Sequence, residues 1–174
     1  GCDGMLEKMN RIHDSATSRE RIDRIREIIP DAAITTDIIA GFCSETEEDH
    51  QATIELMKNV KFDSAFMFQY SQRPNTKAAR HFEDDVPLET KTRRLNEIIE
   101  LQSAISLERN KDCIGKIYEV LIEGTSKRDS DQLFGRTLGN KVCVFSAPGY
   151  KAGDYAKVKV ESCTSATLIA TLIE

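Results

Sequence analysis

The residues best suited to chemistry lie between Thr35 and Glu48, where an apolar strand, a glycine turn and an acidic helix follow one another. In parallel α/β folds, ligands bind at the loops that leave the carboxyl ends of the strands. Thr36, Asp37, Gly41 and Glu45 are therefore candidate contacts to a small polar cofactor. A capped turn with solvated acidic side chains would explain the same residues without a ligand.

A second polar segment begins at Tyr70, at the end of the next predicted strand. Arg73 is suited to pairing with a carboxylate or phosphate, and Thr76 to capping a helix or binding a ligand. Pro74 and Asn75 form turns, so a plain loop is an equally good interpretation. Because adjacent parallel strands end at the same edge of a sheet, both segments can contribute to one pocket.

A third segment, from Glu123 to Val142, combines basic residues, glycines and an aromatic ring. Small β-barrels with such loops bind RNA through phosphate contacts and base stacking. The acidic residues of the segment dilute the patch, and a solvated surface is the alternative. The candidate RNA contacts are Lys127, Arg128, Phe134, Arg136 and Lys141.

Histidine and cysteine show no spacing typical of a metal site. We expect His13, His50 and His81 to be surface residues and no metal ion to be bound. The five cysteines are scattered and odd in number, which favours reduced thiols over a disulfide framework.

Composition indicates a soluble chain with a cytoplasmic location. Charged residues make up 30% of the 174 residues, and no apolar run approaches the length of a membrane span. The net charge is -5, yet the part from Gly115 onward has eight basic and seven acidic residues. We therefore expect any polyanion to bind first at this C-terminal end.

Two periodicities divide the chain into a predicted α/β part, residues 1–112, and an all-β part, residues 113–174. From Ser18 to Asn110 the pattern alternates helix, strand, helix, strand and helix, which predicts parallel strands. Two parallel strands leave both sheet edges unpaired, which is typical of a piece of a larger sheet or barrel. After Cys113, short alternating strands separated by glycines predict a small closed β-barrel.

Four ordered motifs resemble the radical-SAM methylthiotransferase family, most closely its MiaB-type branch, which modifies tRNA. They are GCDGMLEKMNR, IREIIPDAAITTDIIAGFCSETEEDH, FDSAFMFQYSQRPNT and VLIEGTSKRDSDQLFGRTLGNKVCVF. The resemblance implies the C-terminal part of a partial (β/α) radical-SAM barrel, followed by a TRAM-type barrel. Asn75 stands where the family usually has glycine, and we expect it to tolerate left-handed backbone geometry.

The resemblance also implies roles for the candidate residues. Thr36, Asp37, Gly41, Glu45, Tyr70, Arg73 and Thr76 would face S-adenosylmethionine. Lys127, Arg128, Arg136 and Asn140 would approach the tRNA anticodon arm, with Phe134 and Lys141 beside them. The longer enzyme would use two 4Fe-4S clusters to add a methylthio group to carbon 2 of N6-isopentenyladenosine.

The cysteine triad that holds the family's catalytic cluster is absent from this sequence. We therefore expect no catalytic residue in the chain, no activity of the chain alone, and a missing N-terminal half as its partner. A monomer without membrane contact is expected. The alternatives are a stand-alone RNA-binding module, or a related enzyme acting on threonylcarbamoyl-adenosine or on a ribosomal-protein aspartate.

Overall fold

The computed structural model describes residues 1–127 and 129–173, in which five helices and seven strands are present. The helices are α1 (Asp3–Lys8), α2 (Ser15–Ile28), α3 (Glu47–Val60), α4 (Lys77–His81) and α5 (Leu88–Lys111). The strands are β1 (Thr35–Ala40), β2 (Ser64–Gln69), β3 (Ile117–Thr125), β4 (Leu133–Thr137), β5 (Val142–Phe145), β6 (Tyr155–Cys163) and β7 (Leu168–Leu172). The chain divides into two compact units, Gly1–Gln102 and Ser103–Glu174, so α5 contributes residues to both.

The first unit contains a two-stranded parallel sheet. β1 pairs with β2 from Thr35 opposite Ser64 to Ala40 opposite Gln69, as the alternation of helices and strands predicts. Ile38 and Ala40 are buried on one face of the sheet. They share the interior of this unit with apolar residues of the helices and of the loop before β2, namely Ile54, Met57, Val60, Phe62 and Ile98.

The opposite face of this sheet is open. Asp37 lies opposite Phe66 and Ile39 opposite Phe68, and side chains two residues apart on a strand share a face. Phe66 is 63% exposed and Phe68 54% exposed. A sheet face that exposes two large aromatic side chains is unusual for a unit that is complete by itself.

The second unit is a closed five-stranded barrel in the order β3-β4-β5-β7-β6, which confirms the predicted barrel. Inward side chains alternate with outward ones along each strand. The interior is filled by apolar residues around Phe145, including Val120, Ile122, Cys143, Val158, Val160 and Leu168.

Strand β4 differs from the sequence-based expectation, which treated its residues as part of the loops between Glu123 and Val142. Gly135 and Arg136 break the apolar alternation and conceal the strand. Gly135 faces inward, and a Cβ at this position would lie 2.2 Å from the backbone oxygen of Leu121. Glycine is therefore the residue that lets β4 approach β3 closely enough to close the barrel.

His50 corrects a second expectation, because it is buried and not on the surface. It lies on α3, and its Nε2 is 2.7 Å from a carboxylate oxygen of Glu97 on α5. This partner is 47 residues away in sequence, so no local spacing could reveal it.

Among residues 1–127 and 129–173, no helix is both long and apolar enough to cross a membrane.

Candidate functional site

The first candidate loop, residues 41–46, connects β1 to α3. Thr46 is the N-cap of α3 and forms a capping box: its side chain accepts from the Asp49 amide, and the Asp49 carboxylate accepts from the Thr46 amide. Gly41 has φ +74°, a left-handed conformation that favours glycine. The Gly41 amide donates to the Glu45 carboxylate at 2.7 Å, which folds the loop back on itself.

The Glu45 carboxylate is buried in an ion pair with Arg94 of α5. The two side chains are 6% and 5% exposed, and their nearest atoms are 2.8 Å apart. Arg94 also donates to the Glu45 backbone carbonyl at 3.0 Å. The loop is thereby fixed to α5 by a charge-assisted, two-point contact. Sequence reasoning missed Arg94, which is 49 residues from Glu45.

Ser44 adopts a left-handed backbone, with φ +60°. The Asp85 carboxylate accepts from the Ser44 amide at 2.6 Å and from its hydroxyl at 3.1 Å. The hydrogen bond from the Ser44 amide lowers the pKa of Asp85 below its ordinary value. Asp85 therefore offsets part of the strain of a non-glycine residue in this conformation.

The second candidate loop, residues 70–76, leaves β2 beside the first. The Tyr70 amide donates to the Ala40 carbonyl at 2.8 Å. The Tyr70 ring packs edge-to-face on Phe42, with centroids 4.9 Å apart. The Tyr70 hydroxyl is buried without a hydrogen-bond partner among the described residues. Burial, and then the neighbouring Cys43 thiol, raise the pKa of Tyr70 to about 12.

Lys91 of α5 contacts both candidate loops. Its ammonium lies 5.2 Å from the centroid of the Tyr70 ring and pairs with the Asp84 carboxylate. Its aliphatic stem packs against Gly41. Neither Lys91 nor Asp84 was predicted from the sequence, because a lysine within an amphipathic helix usually faces solvent.

The remaining candidates are more open. Thr36 donates to the Asp37 carbonyl at 3.5 Å, and the Asp37 side chain is exposed on the open sheet face. Arg73 is exposed, and Thr76 caps α4 by accepting from the Ala79 amide at 3.2 Å. Asn75 has φ +66°, the left-handed geometry expected for it. The structure therefore brings Gly41, Glu45 and Tyr70 together, whereas Arg73 and Thr76 lie on an exposed loop.

A network of charged side chains joins α3 and α5. Oxygens of Glu47 and Glu97 lie within 4.8 Å of one another and of a His50 nitrogen, a spacing that could hold a metal ion. Arg93, however, contacts both carboxylates at 2.6 Å. Its hydrogen bond lowers the pKa of Glu47 to about 2. Because the Arg93 guanidinium already pairs with both carboxylates, we interpret the network as an ion-pair contact between helices.

The candidate RNA contacts belong to the barrel. Phe134 and Arg136 are two residues apart on β4, so both face outward. Arg136 donates to the side chain of Glu123 at 3.3 Å and to Asn140 Oδ1 at 3.1 Å. The Lys141 ammonium donates to an amide oxygen of Asn110 at 2.8 Å.

Lys127 is exposed near the start of the loop after β3. The last of these candidates, Arg128, lies outside the described residues.

Comparison with known proteins identifies the barrel and the relatives of the chain. Residues 111–173 match the model of the TRAM domain. The chain is similar to the tRNA-2-methylthio-N(6)-dimethylallyladenosine synthases of Bacteroides thetaiotaomicron, at 52% identity over 97% of the chain, and of Chlorobium phaeobacteroides, at 54% over 98%. The Porphyromonas gingivalis synthase is 51% identical over the whole chain. The chain spans 37%, 38% and 38% of these relatives.

The chain also resembles solved structures in its fold. Coproporphyrinogen III oxidase (HemN) from Escherichia coli, described as a radical SAM enzyme, matches with a TM-score of 0.51 and 15% sequence identity. The match covers 90% of this chain and 38% of that one. Identity at this level shows a likeness of fold alone. By its sequence, the chain is a relative of the tRNA-2-methylthio-N(6)-dimethylallyladenosine synthases, of which it spans a little over a third, and it contains a TRAM domain.

Proposed function

We propose that the chain is the C-terminal part of an enzyme that adds a methylthio group to carbon 2 of N6-isopentenyladenosine beside the tRNA anticodon. The observation that supports this most strongly is 52% identity to a synthase of this activity over 97% of the chain. In this proposal β1 and β2 are two strands of a larger radical-SAM barrel, and residues 113–174 form the RNA-binding barrel. The assembled enzyme is a cytoplasmic monomer.

The two candidate loops have features of a site for S-adenosylmethionine. Tyr70 carries a buried hydroxyl that lacks a partner among the described residues, and Asp37 carries an exposed carboxylate on the adjacent open face. A hydroxyl and a carboxylate match the amino and ribose groups of the cofactor. When bound, the cofactor and two 4Fe-4S clusters supply the radical and the sulfur chemistry. This chain binds and orients one side of the cofactor.

The cysteines of the chain do not fit a cluster. Among the described residues, no three cysteine sulfurs lie within ligand distance of one another, and Cys43, Cys113 and Cys143 are buried. We therefore assign the cluster ligands to the part of the relatives that this chain does not cover. The isolated chain is expected to be inactive.

A chimaera tests this proposal. The chain would replace the matching segment of the Porphyromonas gingivalis synthase, which aligns with all 174 residues. We expect the chimaera to restore the methylthiolated isopentenyl nucleoside in tRNA of a strain that lacks its own synthase, as measured by mass spectrometry. A folded chimaera that makes no product while the parent synthase does would contradict the proposal. A product on threonylcarbamoyl-adenosine or on a ribosomal-protein aspartate would support one of the related enzymes instead.

A stand-alone RNA-binding module is the second candidate, because the barrel has its own closed sheet and its own core. It predicts salt-dependent binding of a tRNA anticodon arm by the 174-residue chain. Arg136→Ala and Lys127→Ala should each weaken binding and reduce its salt dependence, since each removes a candidate phosphate contact. Lys58→Ala, on α3 in the first unit, is the control. Unchanged binding in both barrel variants would exclude this surface.

A further inference from the structure

We propose that Lys91 is a positioning residue that holds the first and second candidate loops in one arrangement for S-adenosylmethionine. The identity of the ligand rests on the proposed function, whereas the role of Lys91 rests on its contacts. Lys91 itself is on α5, outside both loops.

The first contact is between the Lys91 stem and Gly41. A Cβ at position 41 would lie 2.3 Å from Cγ of Lys91 and 3.0 Å from its Cβ. The lysine stem therefore occupies the space that a side chain at position 41 would need. Since Gly41 also has φ +74° and donates to Glu45, its place in the loop depends on close packing against α5.

The second contact is between the Lys91 ammonium and Tyr70. The nitrogen lies 5.2 Å from the centroid of the ring, within the range of a cation–π interaction. Tyr70 is in turn fixed by its amide bond to Ala40 and its edge-to-face contact with Phe42. One side chain thus contacts the start of both loops.

The positive charge of Lys91 has a role beyond filling space between the loops and α5. Its side chain is only 6% exposed, and the Asp84 carboxylate is its ion-pair partner. An ion pair is not needed to fill this space, because apolar residues of similar size can often replace both partners of a buried pair without loss of stability. The ammonium interacts with both the Asp84 carboxylate and the Tyr70 ring, and it therefore fixes their positions relative to each other.

Amide hydrogen exchange on the 174-residue chain tests the structural half of the proposal. Lys91→Met keeps an aliphatic stem and removes the charge, and Lys91→Arg restores a cation. Lys58→Met, which removes an exposed i,i+3 pair with Glu55, is the matched control. We expect Lys91→Met to speed exchange of the hydrogen-bonded Gly41 and Tyr70 amides by about 10-fold.

The Asp84 carboxylate is 30% exposed and can be hydrated when its partner is removed, so the melting temperature of Lys91→Met should fall less than that of Arg94→Met. Lys91→Arg should recover most of the protection. Unchanged exchange at both amides in Lys91→Met would overturn the proposal. A general loss of protection across β1 and β2 would also overturn it, because that result would assign Lys91 a purely structural role.

The chimaera with the Porphyromonas gingivalis synthase tests the cofactor half. We expect Lys91→Met to raise the dissociation constant for S-adenosylmethionine by about 10-fold, with a smaller effect on kcat at saturating cofactor, because misplaced binding groups weaken the fit. Lys91→Arg should recover much of the affinity, and Lys58→Met should retain it. Unchanged affinity in Lys91→Met would overturn the cofactor role. If the unsubstituted chimaera binds no S-adenosylmethionine, the proposed function fails, and the exchange experiment still decides whether Lys91 holds the loops.

Discussion

At the scale of single residues, the candidate site depends on charges that are buried and paired. Glu45 accepts from Gly41 within its own loop and pairs with Arg94 on α5. Both side chains are almost fully buried, so each carries a desolvation cost that the other offsets. Glu45 therefore stabilises the conformation of its own loop. A cofactor that contacted the Glu45 carboxylate directly would have to bind it alongside the Gly41 amide and Arg94.

Loss of Arg94 should be costly. In Arg94→Met the Glu45 carboxylate stays buried without its cation, so we expect the free energy of unfolding to fall by roughly 3–5 kcal/mol. Urea denaturation of the 174-residue chain measures this value. Arg24→Met, which removes an exposed pair with Glu27, is the control, with an expected change below about 0.5 kcal/mol. Similar losses in the two variants would show that burial of the Glu45–Arg94 pair does not increase its contribution to the free energy of unfolding.

Glu47 should make stability sensitive to acid. Arg93 lowers its pKa from 4.5 to about 2 in the folded chain, so the folded state binds this proton less tightly than the unfolded state. The stabilisation is fully present above about pH 4.5 and is lost as the pH falls toward 2. NMR titration of the Glu47 carboxyl should show the low pKa in the parent chain and a higher pKa in Arg93→Ala, where Gln51 and Arg94 still contact the carboxylate. An unchanged pKa in that variant would contradict the assignment.

At the scale of elements, the local sequence pattern predicts a helix or strand correctly where the apolar residues recur with the period of that element. The alternation of helices and strands between Ser18 and Asn110 and the parallel direction of the two strands were predicted and are present. β4 was missed because Gly135 serves barrel closure and Arg136 faces outward, which leaves little apolar alternation. The partners of Glu45, His50 and Tyr70 come from α5, and contacts between distant segments leave no trace in local spacing.

Gly135 should be the most sensitive glycine of the barrel. In Gly135→Ala the new methyl would meet the Leu121 backbone oxygen at 2.2 Å and a Val120 methyl at 2.6 Å. The backbone of a paired strand cannot move aside as the end of a flexible side chain can. We therefore expect a loss of about 2 kcal/mol or more in the free energy of unfolding. Gly124→Ala is the comparison, because its methyl would meet only the Phe134 ring, at 3.3 Å. A smaller loss in Gly135→Ala than in Gly124→Ala would contradict this account of barrel closure.

At the scale of the whole molecule, the two units differ in how complete they are. The barrel closes on itself and has its own core. The two-stranded sheet of the first unit instead leaves Ile39, Phe66 and Phe68 exposed on one face. The chain spans 37% of a relative's length, and we propose that further strands of the longer enzyme complete this sheet.

The open sheet face gives a test that compares two contexts. In the 174-residue chain, Phe66→Ala and Phe68→Ala should each change the free energy of unfolding by less than about 1 kcal/mol, because both rings are largely exposed. In the chimaera, where we propose that the added strands cover this face, each substitution should cost about 3 kcal/mol or more. Denaturation of both proteins measures the difference, and Phe145→Ala in the barrel core should be costly in both. Equal effects of the Phe66 and Phe68 substitutions in the two contexts would mean that the face stays open, and the larger barrel proposed for β1 and β2 would then be wrong.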